Sequence, residues 1–116
     1  MSLGAHESQS LFWEWCIGLS EAFRDYLSAA AAAAVPSAPR IPPAAFYAAF
    51  NRVKDPSIIR VEADELQYPL HIVLRYKIEK GVVDGDLDVH DIPARWNELS
   101  QQLLGVVPTS DKVGCL

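Results

Sequence analysis

Apolar residues recur at three- and four-residue steps from residue 6 to about residue 35, the periodicity of one face of an α-helix. The members of this face are Phe12, Trp15, Cys16, Leu19, Phe23, Tyr26, Leu27 and Ala30. Six consecutive alanines, residues 29–34, extend the pattern with the strongest helix-forming residue type, and Pro36 ends it. A chain with such a stretch is predicted to fold mainly as packed α-helices.

The next segments vary the helical pattern. Residues 36–43 contain four prolines and predict a rigid, extended connecting loop. A shorter helix is predicted over residues 44–52, and β-branched residues within 57–61 predict one short β segment. Residues 62–80 predict a second long helix, kinked at Pro69 because its ring removes a backbone donor.

The last third of the chain predicts an acidic loop followed by a helix. Asp84, Asp86 and Asp88 alternate within residues 81–89 as in a calcium loop, but the fixed Gly and distal Glu of such loops are absent. This loop is therefore predicted to be solvated. Asp91 is placed as the N-cap of the final helix, with Pro93 in its first turn and Gly105 at its C-terminal end. The fold class is mainly α, with three to four helices and one short β segment, in a single partial domain over residues 1–116.

Composition excludes several classes of function. The net charge is −5 and the pI about 5.0, so no basic stripe is available to neutralise nucleic-acid phosphates. No strongly apolar run reaches the roughly 18 residues of a membrane span, and residues 1–4 do not resemble a secretory signal. Cys16 and Cys115 show no disulfide spacing, which predicts free thiols in a reducing cytoplasm. The helical pattern begins at once and the chain ends in an apolar tail, so a piece of a longer protein is expected.

The ionisable residues by themselves do not define a catalytic site. His6 and Glu7 are adjacent, so on a helix their side chains point about 100° apart. Ser10 stands where the second His of a zinc-binding HExxH helix would be. On these grounds His6 is interpreted as a helix cap, and His71 as a residue on a packed helix face.

Three segments nevertheless resemble a known family when they are read as motifs. Residues 6–14, HESQSLFWE, are similar to an HESQSxxWE segment, and residues 59–66, IRVEADEL, to an IRxxADEL segment. Residues 91–98, DIPARWNE, followed by Leu104-Gly105-Val106, resemble a later helix of the same family. Residues 68–72 and Arg75-Tyr76 continue the match. By this resemblance the chain is identified as part of the catalytic half of a Taq-type thermostable zinc metallocarboxypeptidase.

The resemblance implies a fold and a metal site. These enzymes form a helical saddle with a long groove and remove C-terminal residues from peptides. Their zinc is held by the two His of an HExxH helix, whose Glu is the general base, and by the Glu of the HESQS segment, which is Glu7 here. The HExxH helix would lie before Met1 and the GxxQDxHW segment would begin at Gly114, so no general base is expected within this chain. The alternative role of Glu7 is a helix N-terminal carboxylate favoured by the helix dipole.

The resemblance also implies a substrate-binding wall. Arg60, with Asp64 near it, would face the substrate, because a bidentate Arg recognises a free carboxylate well. The alternative is a structural ion pair of Arg60 with Asp64 or Glu62. Further expectations are that His6, Ser8 and Gln9 surround the metal ligand or line the groove, and that Trp13, Trp15 and Trp96 pack in the core. Tyr68, His71 and Tyr76 are expected either to line the groove or to lie in the core or behind the site.

Two functions of different class follow. The first is a piece of a metallocarboxypeptidase that uses zinc, or another divalent metal such as cobalt, and acts on peptides with a free C-terminus. The isolated chain is expected to be inactive and to hold no metal. The second is a non-enzymatic helical module that self-associates or docks to another half. Either way no nucleic-acid or membrane partner is expected, and the chain is predicted to form a homo-oligomer because its apolar helix faces need cover.

Overall fold

The computed structural model describes residues 2–115, and the chain divides into two compact units, Met1–Arg52 and Val53–Leu116. Within the described residues all regular structure is helical, with five α-helices, one π-helix and three short 3₁₀ turns. The predicted mainly α fold is confirmed. The predicted β segment over residues 57–61 is wrong, because Arg60–Glu62 forms a 3₁₀ turn. A single partial domain over residues 1–116 stays a prediction.

The first unit consists of α-helices interrupted by a π-helix. Its elements are α1 (Leu3–Leu11), the π-helix (Phe12–Gly18), α2 (Glu21–Ala34) and α3 (Pro43–Phe50). The prediction of one uninterrupted helix over residues 6–35 is therefore wrong, whereas the proline-rich connection and the short helix after it are present. The six alanines do lie in α2, as their helix propensity requires.

Two local signals explain the interruption. The Leu19 N–H donates to the Glu14 carbonyl at 3.1 Å, a five-residue step that widens the helix at the end of the π-helix. The Ser20 hydroxyl then accepts from the Phe23 N–H at 3.2 Å and caps α2. At the start of α1 the Ser2 hydroxyl accepts from the Ala5 N–H at 3.2 Å. The interpretation of His6 as the cap is therefore wrong, since Ser2 is in that position.

Polar contacts connect the helices of the first unit. The Asn51 side-chain amide donates to the carbonyls of Leu19, at 3.1 Å, and Tyr47, at 3.0 Å, which joins the end of α3 to the turn before α2. Among the described residues of α1 to α3 none is fully buried. Trp13 is 66% exposed and contacts the Phe12 ring edge-on, so its predicted place in a core is wrong for this chain.

The second unit is built on two packed helices, α4 (Tyr68–Asp84) and α5 (Ile92–Leu104). Its core contains Leu74, Ile78, Leu99 and Leu104, with Leu70, Leu87, Ile92, Trp96, Leu103 and Val106 packed against them. α4 begins at Tyr68, so Pro69 lies in its first turn, where no intrahelical donor is needed. The predicted kink and the predicted start at residue 62 are both wrong for this reason.

Glycines in the left-handed region end both helices of this unit. Gly85 has φ 82° and Gly105 has φ 74°, values that favour a residue without Cβ. The prediction for Gly105 is confirmed. α4 continues to Asp84, so the acidic loop is shorter than predicted, and Lys80 pairs with Asp84 on the helix surface. Asp91 precedes α5, but its side chain makes no capping hydrogen bond.

Candidate functional site

The first candidate side chain is the Glu7 carboxylate on α1. It is exposed, and its Oε2 accepts a hydrogen bond from the Ser10 hydroxyl at 3.1 Å. The same hydroxyl lies 2.9 Å from the Glu7 carbonyl oxygen, so this single donor is shared. Within residues 2–115 no ion pair involves Glu7. A carboxylate in this condition can accept a metal ion or water without breaking a buried contact.

The neighbours of Glu7 in the HESQS segment are also exposed on α1. The Ser8 hydroxyl donates to the Ala5 carbonyl at 2.8 Å, a bond within the helix. Among the described hydrogen bonds none joins the Glu7 carboxylate to His6, Ser8 or Gln9. Their predicted place around a metal ligand stays a prediction.

The second candidate is the Arg60 guanidinium, which belongs to the second unit. Arg60 opens the 3₁₀ turn, in which its carbonyl accepts from the Ala63 N–H at 3.1 Å. Its Cζ atom lies 5.8 Å from the centroid of the Tyr68 ring, within the range of a cation–π contact. In the described part of the chain no ion pair joins Arg60 to Asp64 or Glu62. The structural pair considered as the alternative for Arg60 is thus not formed.

Asp64 uses its carboxylate to build the turn before α4. Oδ1 accepts from the Leu66 and Gln67 backbone N–H groups, both at 3.0 Å. Oδ2 accepts from the Lys54 N–H at 2.8 Å and from the Gln67 side-chain amide at 3.0 Å. Desolvation raises the pKa of this carboxyl, but the backbone hydrogen bonds outweigh it and lower the pKa below its usual value. These four hydrogen bonds show that the Asp64 carboxylate stabilises the turn before α4.

His71 is the buried polar centre near these residues, with 1% of its surface exposed. Its Nε2 lies 3.0 Å from the Ser57 carbonyl oxygen, and since a carbonyl only accepts, Nε2 carries the hydrogen. Burial lowers the pKa of His71, and the charges of Arg75 and Arg60 lower it further, against the opposing effect of the Ser57 bond. The imidazole is therefore held neutral at pH 7.

Arg75 is a functional candidate to which the sequence analysis assigned no role. Its Nη1 donates to the His71 carbonyl at 3.1 Å, and its Cζ lies 5.1 Å from the Trp96 ring centroid. Burial lowers its pKa, and Arg60 lowers it further. Arg60 contacts the Tyr68 ring and Arg75 bonds to the His71 carbonyl, so both guanidinium groups lie beside the first turns of α4. Within residues 2–115 neither has a carboxylate in an ion pair. We call Arg60, Tyr68, His71 and Arg75 the cationic cluster.

One sequence signal points to this cluster. His71 and Arg75 are four residues apart on α4, and Gln67 lies four residues before His71, a spacing that puts all three on one helix face. The four-residue step predicts the shared face, but it does not predict that the loop before α4 brings Arg60 to that face. Tyr76, by contrast, is 60% exposed.

The described residues do not by themselves make a metal centre. No group of three or more His, Cys, Asp or Glu within residues 2–115 is arranged to hold a metal ion. The chemistry of Glu7, an exposed and unpaired carboxylate, fits one ligand of such a centre. No helix of the described part of the chain is long and apolar enough to cross a membrane.

Comparison with known proteins places these residues in a family. The family model described as "Carboxypeptidase Taq (M32) metallopeptidase" matches residues 1–116. Carboxypeptidase 1 of Bacillus subtilis (strain 168) is 45% identical over 99% of this chain and 23% of its own length. Thermostable carboxypeptidase 1 of Pyrococcus furiosus is 39% identical over 100% of this chain and 23% of its own.

A solved structure is similar as well. The structure titled "Trypanosoma Cruzi Metallocarboxypeptidase 1" matches with a TM-score of 0.88 and 41% identity, over 98% of this chain and 24% of that chain. The chain therefore belongs to the Carboxypeptidase Taq (M32) metallopeptidase family, and the resemblance seen in the sequence is confirmed. It spans about 23% of the length of the curated relatives that it matches.

Proposed function

We propose that the full-length protein containing this chain is a zinc-dependent metallocarboxypeptidase that removes C-terminal residues from peptides. Family membership supports the metallocarboxypeptidase class. The observation that carries the residue assignment is the cationic cluster, because neither Arg60 nor Arg75 has an ion-pair partner within residues 2–115. Two guanidinium groups without carboxylate partners beside the start of one helix favour a bound anion, and a peptide C-terminus supplies a carboxylate.

In this proposal Glu7 is one of the protein ligands of a divalent metal, either zinc or another such as cobalt. The metal, when bound, supplies Lewis-acid polarisation of the scissile carbonyl. Glu7 holds its oxygen atoms at the solvent-exposed side of α1, with the Ser10 hydroxyl fixing one of them at 3.1 Å. Glu7 is an anionic ligand, so its charge helps to keep a divalent cation in place.

Arg60 is the residue proposed to bind the C-terminal carboxylate of the peptide. The Tyr68 ring supports its guanidinium from one side, and the 3₁₀ turn fixes its backbone. A charge-assisted hydrogen bond of this kind contributes roughly 1.5–3 kcal/mol. The proposed role of Asp64 is to hold the loop that follows Arg60, since its carboxylate accepts four hydrogen bonds from Lys54, Leu66 and Gln67.

The test compares Glu7→Gln with Arg60→Ala in the full-length enzyme. Glu7→Gln is expected to lower metal content and to abolish hydrolysis of every substrate. Arg60→Ala is expected to leave metal content unchanged and to lower kcat/KM for free-acid peptides by roughly 10- to 150-fold, with a much smaller loss for C-terminally amidated peptides.

Matched controls come from exposed residues without described side-chain contacts, Glu79→Gln and Arg52→Ala. Neither should change metal content or the preference for free-acid peptides. Equal losses for the free-acid and amidated peptides in Arg60→Ala, together with a lowered melting temperature, would show that Arg60 is only structural. Unchanged metal content in Glu7→Gln would remove Glu7 from the proposed ligand set.

The isolated chain is proposed to be inactive and to bind zinc weakly, since a single carboxylate is one ligand of the three that a catalytic zinc site uses. Chelator-sensitive release of C-terminal residues by the pure chain would contradict this. The cytoplasm is the proposed location, supported by free thiols at Cys16 and Cys115.

A second candidate function is a helical module that self-associates or docks to the rest of the polypeptide. It is favoured by large apolar side chains that remain exposed on the first unit, namely Phe12, Trp13, Tyr26 and Phe50. Zinc retained per chain separates the two candidates when it is measured on the full-length protein, because both candidates predict a metal-free isolated chain. Stoichiometric zinc in the full-length protein supports the enzyme, and a full-length protein that holds no zinc supports the module.

A further inference from the structure

Residues 54–57 in the second unit form an irregular segment whose backbone is bonded to side chains. The Lys54 N–H donates to Asp64 Oδ2 at 2.8 Å, and the Lys54 carbonyl accepts from the Gln67 side-chain amide at 2.8 Å. The Ser57 N–H donates to Gln67 Oε1 at 3.2 Å, and the Ser57 carbonyl accepts from His71 Nε2 at 3.0 Å. The backbone N–H and carbonyl of Lys54 and of Ser57 are thus all hydrogen-bonded, and their partners are the side chains of Asp64, Gln67 and His71. We call these four hydrogen bonds the side-chain ladder.

The ladder replaces the backbone partners that a β-strand would have. Buried or half-buried backbone groups need partners, and the described residues contain no strand to supply them. Asp64 lies in the turn before α4, where its Oδ1 accepts from the Gln67 N–H, and Gln67 and His71 are four residues apart at the start of the helix. The backbone groups of Lys54 and Ser57 therefore have hydrogen-bond partners without any strand pairing.

Gln67 is the central member of the ladder. Its amide nitrogen donates to both the Lys54 carbonyl and Asp64 Oδ2, while its amide oxygen accepts from Ser57. It is half-buried, so water replaces these contacts only in part. No other side chain among the described residues bonds to both ends of the 54–57 segment.

The ladder ends three residues before Arg60, and hydrogen bonds continue along that path. The Ser57 hydroxyl accepts from the Ile59 N–H at 3.0 Å, and the Ile59 carbonyl accepts from the Glu62 N–H at 3.1 Å. Arg60 therefore lies between two bonded turns, and its guanidinium stands 5.8 Å from the Tyr68 ring centroid on α4. The position of the Arg60 backbone and the position of the Tyr68 ring therefore both depend on α4.

We propose that Gln67 is a positioning residue for Arg60, and that it sets the preference of the enzyme for peptides with a free C-terminus without touching the substrate. This rests on the proposed function of Arg60 as the carboxylate contact. The link is geometric, because a guanidinium forms two parallel hydrogen bonds with a carboxylate only in a narrow range of orientations. A shift of the 54–57 segment moves Arg60 out of that range while leaving its charge in place.

The test uses Gln67→Met in the full-length enzyme, a substitution of similar shape that removes all three hydrogen bonds of the amide. The preference is measured as kcat/KM for a free-acid peptide divided by kcat/KM for its C-terminal amide. This ratio is expected to fall about fivefold, from a net loss of roughly one hydrogen bond, with the change in KM rather than kcat. Metal content and kcat/KM for the amide stay unchanged, and the Ser57 amide exchanges its hydrogen faster.

Two further variants make the result specific. Gln67→Glu keeps the acceptor for Ser57 but loses the donor to Lys54, so it also lowers the ratio and serves where Gln67→Met folds poorly. Gln101→Met, at an exposed position of α5, is the matched control and leaves the ratio unchanged. In an Arg60→Ala background, Gln67→Met causes no further loss of the ratio, because the residue that it positions is gone.

The outcomes separate this inference from the proposed function. If Arg60→Ala leaves the ratio unchanged, Arg60 does not bind the carboxylate, and both ideas fall together. If Arg60→Ala removes the preference but Gln67→Met and Gln67→Glu do not lower it, Arg60 keeps its role and only the positioning role of Gln67 is overturned. Equal losses for both peptides in the Gln67 variants also overturn it, since that is the pattern of a purely structural residue.

Discussion

The two units of this chain differ in how their helices are stabilised. In the second unit, Leu74 and Leu99 are each 1% exposed and form a core between α4 and α5 with Ile78 and Leu104. In the first unit, the described residues of α1 to α3 include no buried side chain. The second unit therefore has an interior of its own, while the helices of the first unit have amphipathic faces without an enclosed core.

The difference shows which parts of the candidate site depend on the rest of the polypeptide. The cationic cluster lies beside a packed core, and its members are held by hydrogen bonds and ring contacts within the same unit. Glu7 lies on an exposed helix, and the described contact of its carboxylate, with the Ser10 hydroxyl, is local to that helix. This chain spans about 23% of the length of its relative. It is therefore expected to preserve the geometry of the cationic cluster better than the surroundings of Glu7.

The largest expected effect is on the core of the second unit. Leu74→Ala should lower the free energy of unfolding of this unit by roughly 2–5 kcal/mol, because it removes buried methyl groups and leaves a cavity. Leu27→Ala is the matched change in α2, where the side chain is only half-buried, and should cost less. Urea unfolding of the 116-residue chain, with hydrogen exchange as the probe of each unit, measures the loss of stability in both variants.

If Leu27→Ala lowers the free energy of unfolding as much as Leu74→Ala does, the proposed difference between the units is wrong. Such a result would mean that the first unit acquires a core in solution, by association or by rearrangement. If instead the amides of α4 and α5 exchange much more slowly than those of α2, the difference between the units is confirmed.

The sequence predicts the two units unequally, and for physical reasons. Gly105 and Pro93 are local signals with one favoured structural meaning, so the bounds of α5 follow from them. Pro69 is ambiguous, since a proline kinks a helix interior but is favoured in a first turn, and periodicity alone cannot decide where the helix begins. The sequence Gly18-Leu19-Ser20 marks the end of one helix and the start of the next, but the apolar pattern runs through it and conceals the break.

In the candidate site, some residues can be predicted from sequence motifs, whereas the roles of others depend on how the chain folds. The motif resemblance predicts Glu7, Arg60 and Asp64, and in the structure Arg60 and Asp64 lie within the segment from the 3₁₀ turn to the start of α4. The role of Gln67 in the ladder depends on a loop that folds back to α4, and no spacing rule predicts this return. Arg75 lies within a motif of the family, but the loop before α4 must fold back before Arg60 reaches the same helix.

The next effect in size is self-association of the isolated chain, which we expect to be an oligomer at micromolar concentration. Phe12 and Trp13 are 50% and 66% exposed and form one contiguous apolar patch with their rings 5.8 Å apart. Burying one large apolar side chain contributes about 1.5–3 kcal/mol, so Trp13→Lys should weaken association about tenfold or more. Sedimentation velocity at several concentrations measures this.

The control for this prediction is Val83→Lys in the second unit, since Val83 is 78% exposed at the end of α4. It should leave the association constant unchanged if the first unit supplies the contact surface. A wild-type chain that sediments as a monomer and binds no hydrophobic dye would contradict the prediction. Equal weakening by both substitutions would assign the contact to both units.

The smallest expected effect is a pH dependence of the second unit that comes from His71. Its pKa in the folded chain lies below the ordinary value of 6.5, first because it is buried and then because Arg75 and Arg60 oppose a third positive charge. The unfolded chain therefore binds a proton at a pH where the folded chain does not. Stability is complete above about pH 6.5 and falls as the pH drops towards and through the folded pKa.

The Asp64 carboxyl has a lowered pKa too, but its ordinary value is 3.8, so its contribution is lost only in a much more acidic range. Between about pH 6.5 and 5 the slope of stability against pH is therefore expected to come from His71. His71→Gln, which keeps an amide N–H to donate towards the Ser57 carbonyl, should remove this slope, whereas His90→Gln on the exposed 3₁₀ turn should not. Urea unfolding of the second unit from pH 8 to 5 measures both variants. A slope that persists in His71→Gln would mean that the buried imidazole is not the group that titrates. The pH dependence of the second unit would then come from another residue.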